Sequence, residues 1–362
     1  MPSFSASRLV LGLAFVVAAL VCLPCRAEGN KVVPELQAAA DSLAVELRVC
    51  AVAYAVISAR SVSTSGVASG CDPVQQVTPD SVFQAASLAK PVVAYGVLKL
   101  VQRGLLDLEA PVLKYLPQGY VRRKNPFDNR PPALTELVDA PELTRVTLRM
   151  LLNHTSGLPN WSTERLAFDF SPGASWQYSG EGFMLLQRVV ETVTGVPLDQ
   201  FMRREVFDPI GMASSEFRWN AALAGKLVEG TSLSDQKRQL RFPEPVAAAS
   251  LYTTANDYAK FVARLLNDSS AMNLTTEKPA TAQRSLGLQW GLGWGIEPGV
   301  QGVNLWQWGN NPGYRAFVMA SASSGNAIVI LTNSERGMAL AAPLTKIVLP
   351  GEHNAFEFRM LH

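Results

Sequence analysis

Apolar, β-rich stretches gather at the two ends of this chain and helical spacing fills its middle, and no other feature restricts the fold as much. Near the amino end, residues 51–57 are β-rich, residues 59–61 suit a turn, and residues 62–68 read as the return strand. Strands come back only from Leu286 onward, at 291–297, 305–308, 316–320 and 327–332, before a closing helix at 340–349. Between them, residues from about 105 to 280 alternate helical patterns with Pro- and Gly-rich loops. Residues 183–194, stopped by Gly195 and Pro197, and residues 256–266, with Asp257 in the first turn, are the strongest helices there. Residues 124–132 are polar and Pro-rich and suit a surface loop. Strands at both ends with helices between imply one sheet built from both termini. The expected class is α/β of the α+β type, with a mainly antiparallel sheet and an inserted helical subdomain at about 105–280.

The 362 residues are 48% hydrophobic and 17% charged, enough for a sizeable core. A net charge of +2 without a basic run argues against nucleic acid as a partner. Arg8, the apolar stretch 9–23 and the Cys25-Arg26-Ala27 site predict a signal peptide over residues 1–27 and a mature chain over 28–362. The destination is then periplasmic or secreted, and no stable membrane span is expected once the signal is cut; an uncleaved anchor is the alternative. Pro24 before Cys25 and Val21 before Cys22 fit lipidation poorly. Cleavage leaves Cys50 and Cys71, which a hairpin turn centred on Arg60-Ser61 sets opposite each other. A disulfide there and two unpaired thiols both remain open.

Residues 87–101 predict a buried helix ending at Gly104, with Ser87-Leu88-Ala89-Lys90 at its start. Residues three apart share a helix face, so the Lys90 ammonium reaches the Ser87 hydroxyl. A serine hydroxyl needs a base, and a lysine becomes one only when burial or a helix amino end lowers its pKa. Ser234-Asp235-Gln236-Lys237 repeats the spacing in a polar stretch and reads as surface. The chain has three histidines, of which His353 and His362 lie in the tail, and no Gly-x-Ser-x-Gly elbow, so His154 is poorly supported as a catalytic base. No metal, phosphate or other cofactor is expected, because no cluster has ligand spacing and no glycine-rich phosphate loop is present.

The stretch from Ser81 through this helix resembles the nucleophile region of serine β-lactamases and penicillin-binding proteins, above all the class C branch with its D,D-peptidases and esterases. The resemblance continues in order through the segments at 151–159, 172–180, 209–212, 251–254, 291–295 and 307–314. It implies a β-lactamase/transpeptidase-like fold, Ser87 as nucleophile, Lys90 as general base and Tyr178 as proton relay. It also implies an oxyanion hole from the backbone N–H groups of Ser87 and Asn310. Two positions depart from the pattern. Gly180 stands where the family carries asparagine, and Gln307-Trp308-Gly309 stands where it carries Lys-Thr-Gly or His-x-Gly. A substrate carboxylate thereby loses its partners, with Arg315 as one replacement and a solvent-facing Arg315 as the other reading. An esterase-like acyl substrate is favoured, with a small-molecule acyl compound or cell-wall peptide as partner. The alternatives are a D,D-carboxypeptidase or β-lactamase, and a non-catalytic ligand-binding protein.

Overall fold

The computed structural model describes residues 1–2, 25–71, 76–128 and 130–362. The expected signal peptide falls almost wholly outside them. One eight-stranded antiparallel sheet organises the chain. Its strands are β1 (Val52–Ser58), β2 (Ser61–Ala68), then, after two short strands β3 (Phe83–Ala86) and β4 (Leu251–Thr253), β5 (Ala280–Gln283), β6 (Leu288–Trp290), β7 (Gly295–Gly299), β8 (Gly302–Asn311), β9 (Tyr314–Ser321) and β10 (Ala327–Thr332). The spatial order is β2-β1-β10-β9-β8-β7-β6-β5, so the amino-terminal hairpin joins the carboxy-terminal strands through β1 and β10, with Val52 opposite Thr332.

Both faces of the sheet are buried, which is why its central strands are apolar without alternation. Side chains of period two divide between two cores. Ala53, Ala55, Ile57, Val318, Val329 and Leu331 face the helical subdomain. Val52, Tyr54, Val56, Phe317, Met319, Ile328 and Ile330 face the opposite layer, where helices α1 (Cys25–Leu47) and, at the end of the chain, α5 (Ala341–Val348) cover them. On the first face lie α2 (Ala89–Gln102), α3 (Gly180–Thr194) and α4 (Ala255–Leu266). Sequence periodicity locates these helices to within a few residues. Gly104 and Gly195 take left-handed backbone just past α2 and α3, as helix stops require.

Four expectations need correction. The first hairpin turns at Ala59-Arg60, both with positive φ, one residue earlier than expected, because Ser58 pairs with Ser61 and a bulge falls at Val56/Ile57. Cys50 and Cys71 nonetheless meet in a disulfide. The 291–297 strand is instead a bend over 291–294 followed by β7. There Gly293 has φ +80° and approaches α2 so closely that a Cβ would stand 2.4 Å from that of Ala94. The apolar spacing of Leu36, Leu43 and Leu47 predicts a first helix from Pro34 to Arg48, whereas that helix starts at Cys25 and runs through Pro34, forgoing a helical hydrogen bond. Finally, the helical subdomain contains β4, which pairs with β3 from outside it, and the hairpin of Tyr120–Arg123 with Thr135–Val138, strands too short to show a period. Residues 124–128 and 130–132 lie in the loop of that hairpin.

Candidate active site

Strand β3 delivers the chain to Ser87. Its last residue, Ala86, has φ +51°, a left-handed conformation that costs an alanine about 1 kcal/mol and persists only where the surroundings enforce it. The β3–β4 register shifts at the same point, between Gln84 and Ala86. Leu88 N–H bonds Ala85 O at 3.0 Å, and Lys90 N–H bonds Ser87 O at 3.0 Å. Ser87 thus occupies the turn that opens α2, two residues ahead of the helix start at Ala89, whereas the spacing predicts the helix from Ser87 itself.

Lys90 is 1% exposed, its Nζ donating to Ser87 Oγ at 3.0 Å and to Ala248 O at 2.8 Å. Ser87 Oγ in turn donates to Ala248 O at 3.3 Å. No carboxylate pairs with this amine among the described residues, so burial pushes its pKa well below the ordinary lysine range. The Tyr178 ring covers it, with Nζ 4.6 Å from the ring centroid. Burial raises the Tyr178 phenol above its usual value, while Ser87 and Gln307 beside it act in the opposite direction. Its buried Oη makes no hydrogen bond of ordinary geometry with either.

Tyr178 is held from behind by His154. The His154 ring centroid is 4.5 Å from that of Tyr178, and its Nδ1 accepts from Ser179 N–H at 3.1 Å. Burial, then the nearby Lys90 charge, lower its pKa, so it stays a neutral acceptor. That geometry makes His154 a support for the Tyr178 backbone, and Ser87 has Lys90 and Ala248 as its partners instead. The second Ser-x-x-Lys match forms a surface turn, with Lys237 ion-paired to Glu229 at 2.6 Å.

The end of β8 runs beside β3. A Cβ on Gly309 would stand 2.2 Å from Ala85 O, so only glycine permits this approach. Gln307 is fully buried; its Oε1 accepts from Trp308 N–H at 3.2 Å and its Nε2 is unpartnered among the described residues. Trp308 lies 4.8 Å from Tyr178 and packs with Trp290, Trp306 and Phe358. Arg315 is half-buried, and its Nη1 donates to the carbonyls of Asn311 and Tyr314, 3.2 and 2.9 Å away. Asn310 is exposed, opposite Arg315 in the β8–β9 ladder.

At Gly180 the space for a side chain is already taken. An added Cβ would stand 2.6 Å from Trp161 Cζ2 and 2.7 Å from Asn160 O. The Asn160 Oδ1 accepts from Gly180 N–H at 3.0 Å. Next in the chain, Glu181 shares one buried guanidinium with Glu136: Arg122 Nη1 is 2.9 Å from Glu181 and its Nε 2.9 Å from Glu136. Burial is the main cause that brings the Glu181 carboxyl up to about 7. A cavity of about 610 Å³ opens beside Tyr178, walled by Trp176, Phe358 and Met360. The Ala248 carbonyl, Trp161 and the tail residues around Phe358 were not foreseeable from sequence, because a carbonyl has no motif and the other two arrive through tertiary packing.

The Beta-lactamase family model matches residues 37–349. Esterase EstB of Burkholderia gladioli is 28% identical over 335 residues, covering 74% of this chain and 80% of that protein. Penicillin-binding protein 4* of Bacillus subtilis is 23% identical over 300 residues, covering 71% of this chain and 61% of its own length. A class C beta-lactamase mutant superposes with a TM-score of 0.73 at 16% identity, over 88% of this chain and 97% of that one. A D-stereospecific amidohydrolase from Streptomyces sp. superposes with a TM-score of 0.69 at 20% identity, over 88% and 99%. At such identities the structural likeness concerns the fold.

Proposed function

The chain belongs to the Beta-lactamase family and is a serine hydrolase of that kind, and from this premise we propose that it is an exported esterase working through an acyl-enzyme on Ser87. The observation that carries this reading is the buried Lys90 amine, without a carboxylate and 3.0 Å from Ser87 Oγ. An uncharged amine in that place is a base. The Ser87 proton needs only to turn from the Ala248 carbonyl to Nζ as Oγ attacks the ester carbon. The backbone N–H groups of Ser87 and Asn310 receive the oxyanion, each donor lowering the barrier by about 3 kcal/mol. The proximity of β8 to β3 at Gly309 supports that pairing. Tyr178, whose phenol stays protonated, passes the proton to the departing oxygen and then draws one from the attacking water. The unit that does this is residues 28–362, released from a signal over 1–27; the Cys50–Cys71 disulfide supports an oxidising destination, periplasmic or secreted.

The substrate preference follows from what surrounds the carbonyl. Trp161 fills the place of an asparagine at Gly180, and Gln307 and Trp308 replace a cation and a hydroxyl. Arg315 spends its Nη1 on backbone carbonyls of its own turn. A neutral acyl group is thereby favoured over a β-lactam or a D-Ala-D-Ala peptide. The test is hydrolysis of p-nitrophenyl acetate and of benzylpenicillin by residues 28–362, beside Ser87→Ala. Ester turnover that exceeds penicillin turnover and vanishes in the variant supports the proposal. Faster penicillin turnover sinks the preference, and equal rates in both proteins sink the mechanism.

A further inference from the structure

The segment after α5 is anchored to the sheet by one buried carboxylate. Glu297 Oε2 lies 2.8 Å from His353 Nδ1, and its Oε1 accepts from Ala355 N–H at 3.0 Å. His353 Nε2 lies 2.9 Å from Leu349 O, and Asn354 Nδ2 donates to Leu286 O at 3.0 Å. These bonds bring Phe358, 3% exposed, into the aromatic cluster, 5.7 Å from Trp308 and 5.8 Å from Trp176. Arg359 therefore follows a fixed ring, and it lies on the wall of the cavity that Tyr178 also lines. It is exposed, and among the described residues it forms no hydrogen bond or ion pair. Among the described residues it is also the only charged side chain in that wall. Asn160, with its Oδ1 engaged by Gly180, leaves its amide hydrogens as further donors there.

We infer that this cavity takes the alcohol part of the ester and that Arg359 recognises a carboxylate at its far end. The inference rests on the catalytic reading of Ser87, Lys90 and Tyr178. In that reading Tyr178 protonates the departing oxygen, so the alcohol is the portion of substrate beside it and beside the cavity it lines. Trp176, Phe358 and Met360 suit an apolar or aromatic body. A guanidinium that forms no ion pair among the described residues, set against aromatic walls, prefers a planar carboxylate that it binds with two parallel N–H groups. The cation missing at Gln307 has then moved from the strand to the tail. In the reaction, the Ser87 Oγ–acyl bond forms as the acyl–oxygen bond breaks, and the Ser87 proton reaches the leaving oxygen through Lys90 and Tyr178. Water then cleaves the acyl-serine, so a neutral acyl group leaves as its acid and the hydroxy-carboxylate leaves intact.

The experiment compares 4-acetoxybenzoate with its methyl ester, which differs only in the masked carboxylate, in the wild-type protein, Arg359→Gln and Arg359→Lys. The ratio of kcat/KM for the anionic over the neutral ester is expected to fall about fivefold to twentyfold in Arg359→Gln, with the neutral ester unaffected, and to recover in part in Arg359→Lys. An unchanged ratio overturns the inference. Binding of 4-hydroxybenzoate, followed by tryptophan fluorescence in Ser87→Ala with and without Arg359→Gln, provides a readout without turnover. Weaker binding in the double variant supports the site, and equal or absent binding in both overturns it. A protein that binds the anion through Arg359 but hydrolyses neither ester would refute the catalytic reading while the anion site stands.

Discussion

The two walls that meet at Tyr178 are built on opposite principles. On the Ser87 wall the hydroxyl and the amine are both partnered: Lys90 holds Ser87 and Ala248 O, and Ser87 holds Ala248 O. On the Gln307 wall the amide nitrogen of Gln307 is buried without a partner, and its neighbour is an indole packed among other indoles. Buried polar groups left unpaired are costly and therefore rare. The contrast teaches that bond-making machinery and substrate recognition change separately in this fold. In the proposed mechanism the first wall holds the residues that move protons, while the second presents aromatic bulk at Trp308.

The comparison breaks first, and furthest, at Lys90. Replacing it by methionine is expected to lower kcat with p-nitrophenyl acetate by about 10²–10⁴-fold. The same change removes a buried amine held against its own desolvation, so thermal stability should rise or stay level. Loss of activity together with unfolding would instead make Lys90 a structural residue. On the opposite wall, Trp308→Thr restores a small hydroxylated side chain and should cost about 3–5 kcal/mol in denaturant unfolding, since the indole is 4% exposed. A cost under about 1 kcal/mol would mean that the cluster is loosely packed.

Gly180→Ala sharpens the claim that Trp161 has taken over the asparagine site. The added Cβ, 2.6 Å from the indole, should destabilise by about 1–3 kcal/mol. Part of that should return in the Gly180→Ala, Trp161→Ala pair, measured as a double-mutant cycle. The smallest effect concerns pH. Glu181 sits near 7 in the folded protein against 4.5 for the free side chain, because burial disfavours its charged form and the Glu136 carboxylate adds to this, against the opposing pull of Arg122. Between those values the folded chain retains a proton that the unfolded chain has released, so this group makes stability fall as pH rises from 4.5 to 7. The slope should flatten in Glu181→Gln, by roughly 1–3 kcal/mol across the window. Parallel pH profiles for the two proteins would refute the assignment.

Much of the fold was legible because long periodic segments are self-announcing. Residues 327–332 and the helices at α2 through α5 follow from spacing and from glycine stops. The bend at Gly293 was misread as strand because its cause, the approach to Ala94 on α2, is tertiary. Within the site, Ser87 and Lys90 were legible from their shared helix face, and the structure brings them together with Tyr178. What sequence could not show is the partner set that gives these residues their chemistry. Ala248 contributes only a backbone oxygen, and His154 supports Tyr178 through one N–H of Ser179. Arg359 lines the cavity beside Tyr178 on a tail that Glu297, far away in sequence, helps to anchor.

The most direct test of the central claim is to trap the intermediate. Residues 28–362 are mixed with excess p-nitrophenyl acetate, quenched in acid within the first turnovers, and examined by intact mass and then by peptide mass. One added acetyl group is expected on the peptide containing Ser87, absent from Ser87→Ala. An acetyl group on another residue, or turnover without any adduct and undiminished by Ser87→Ala, would contradict that claim.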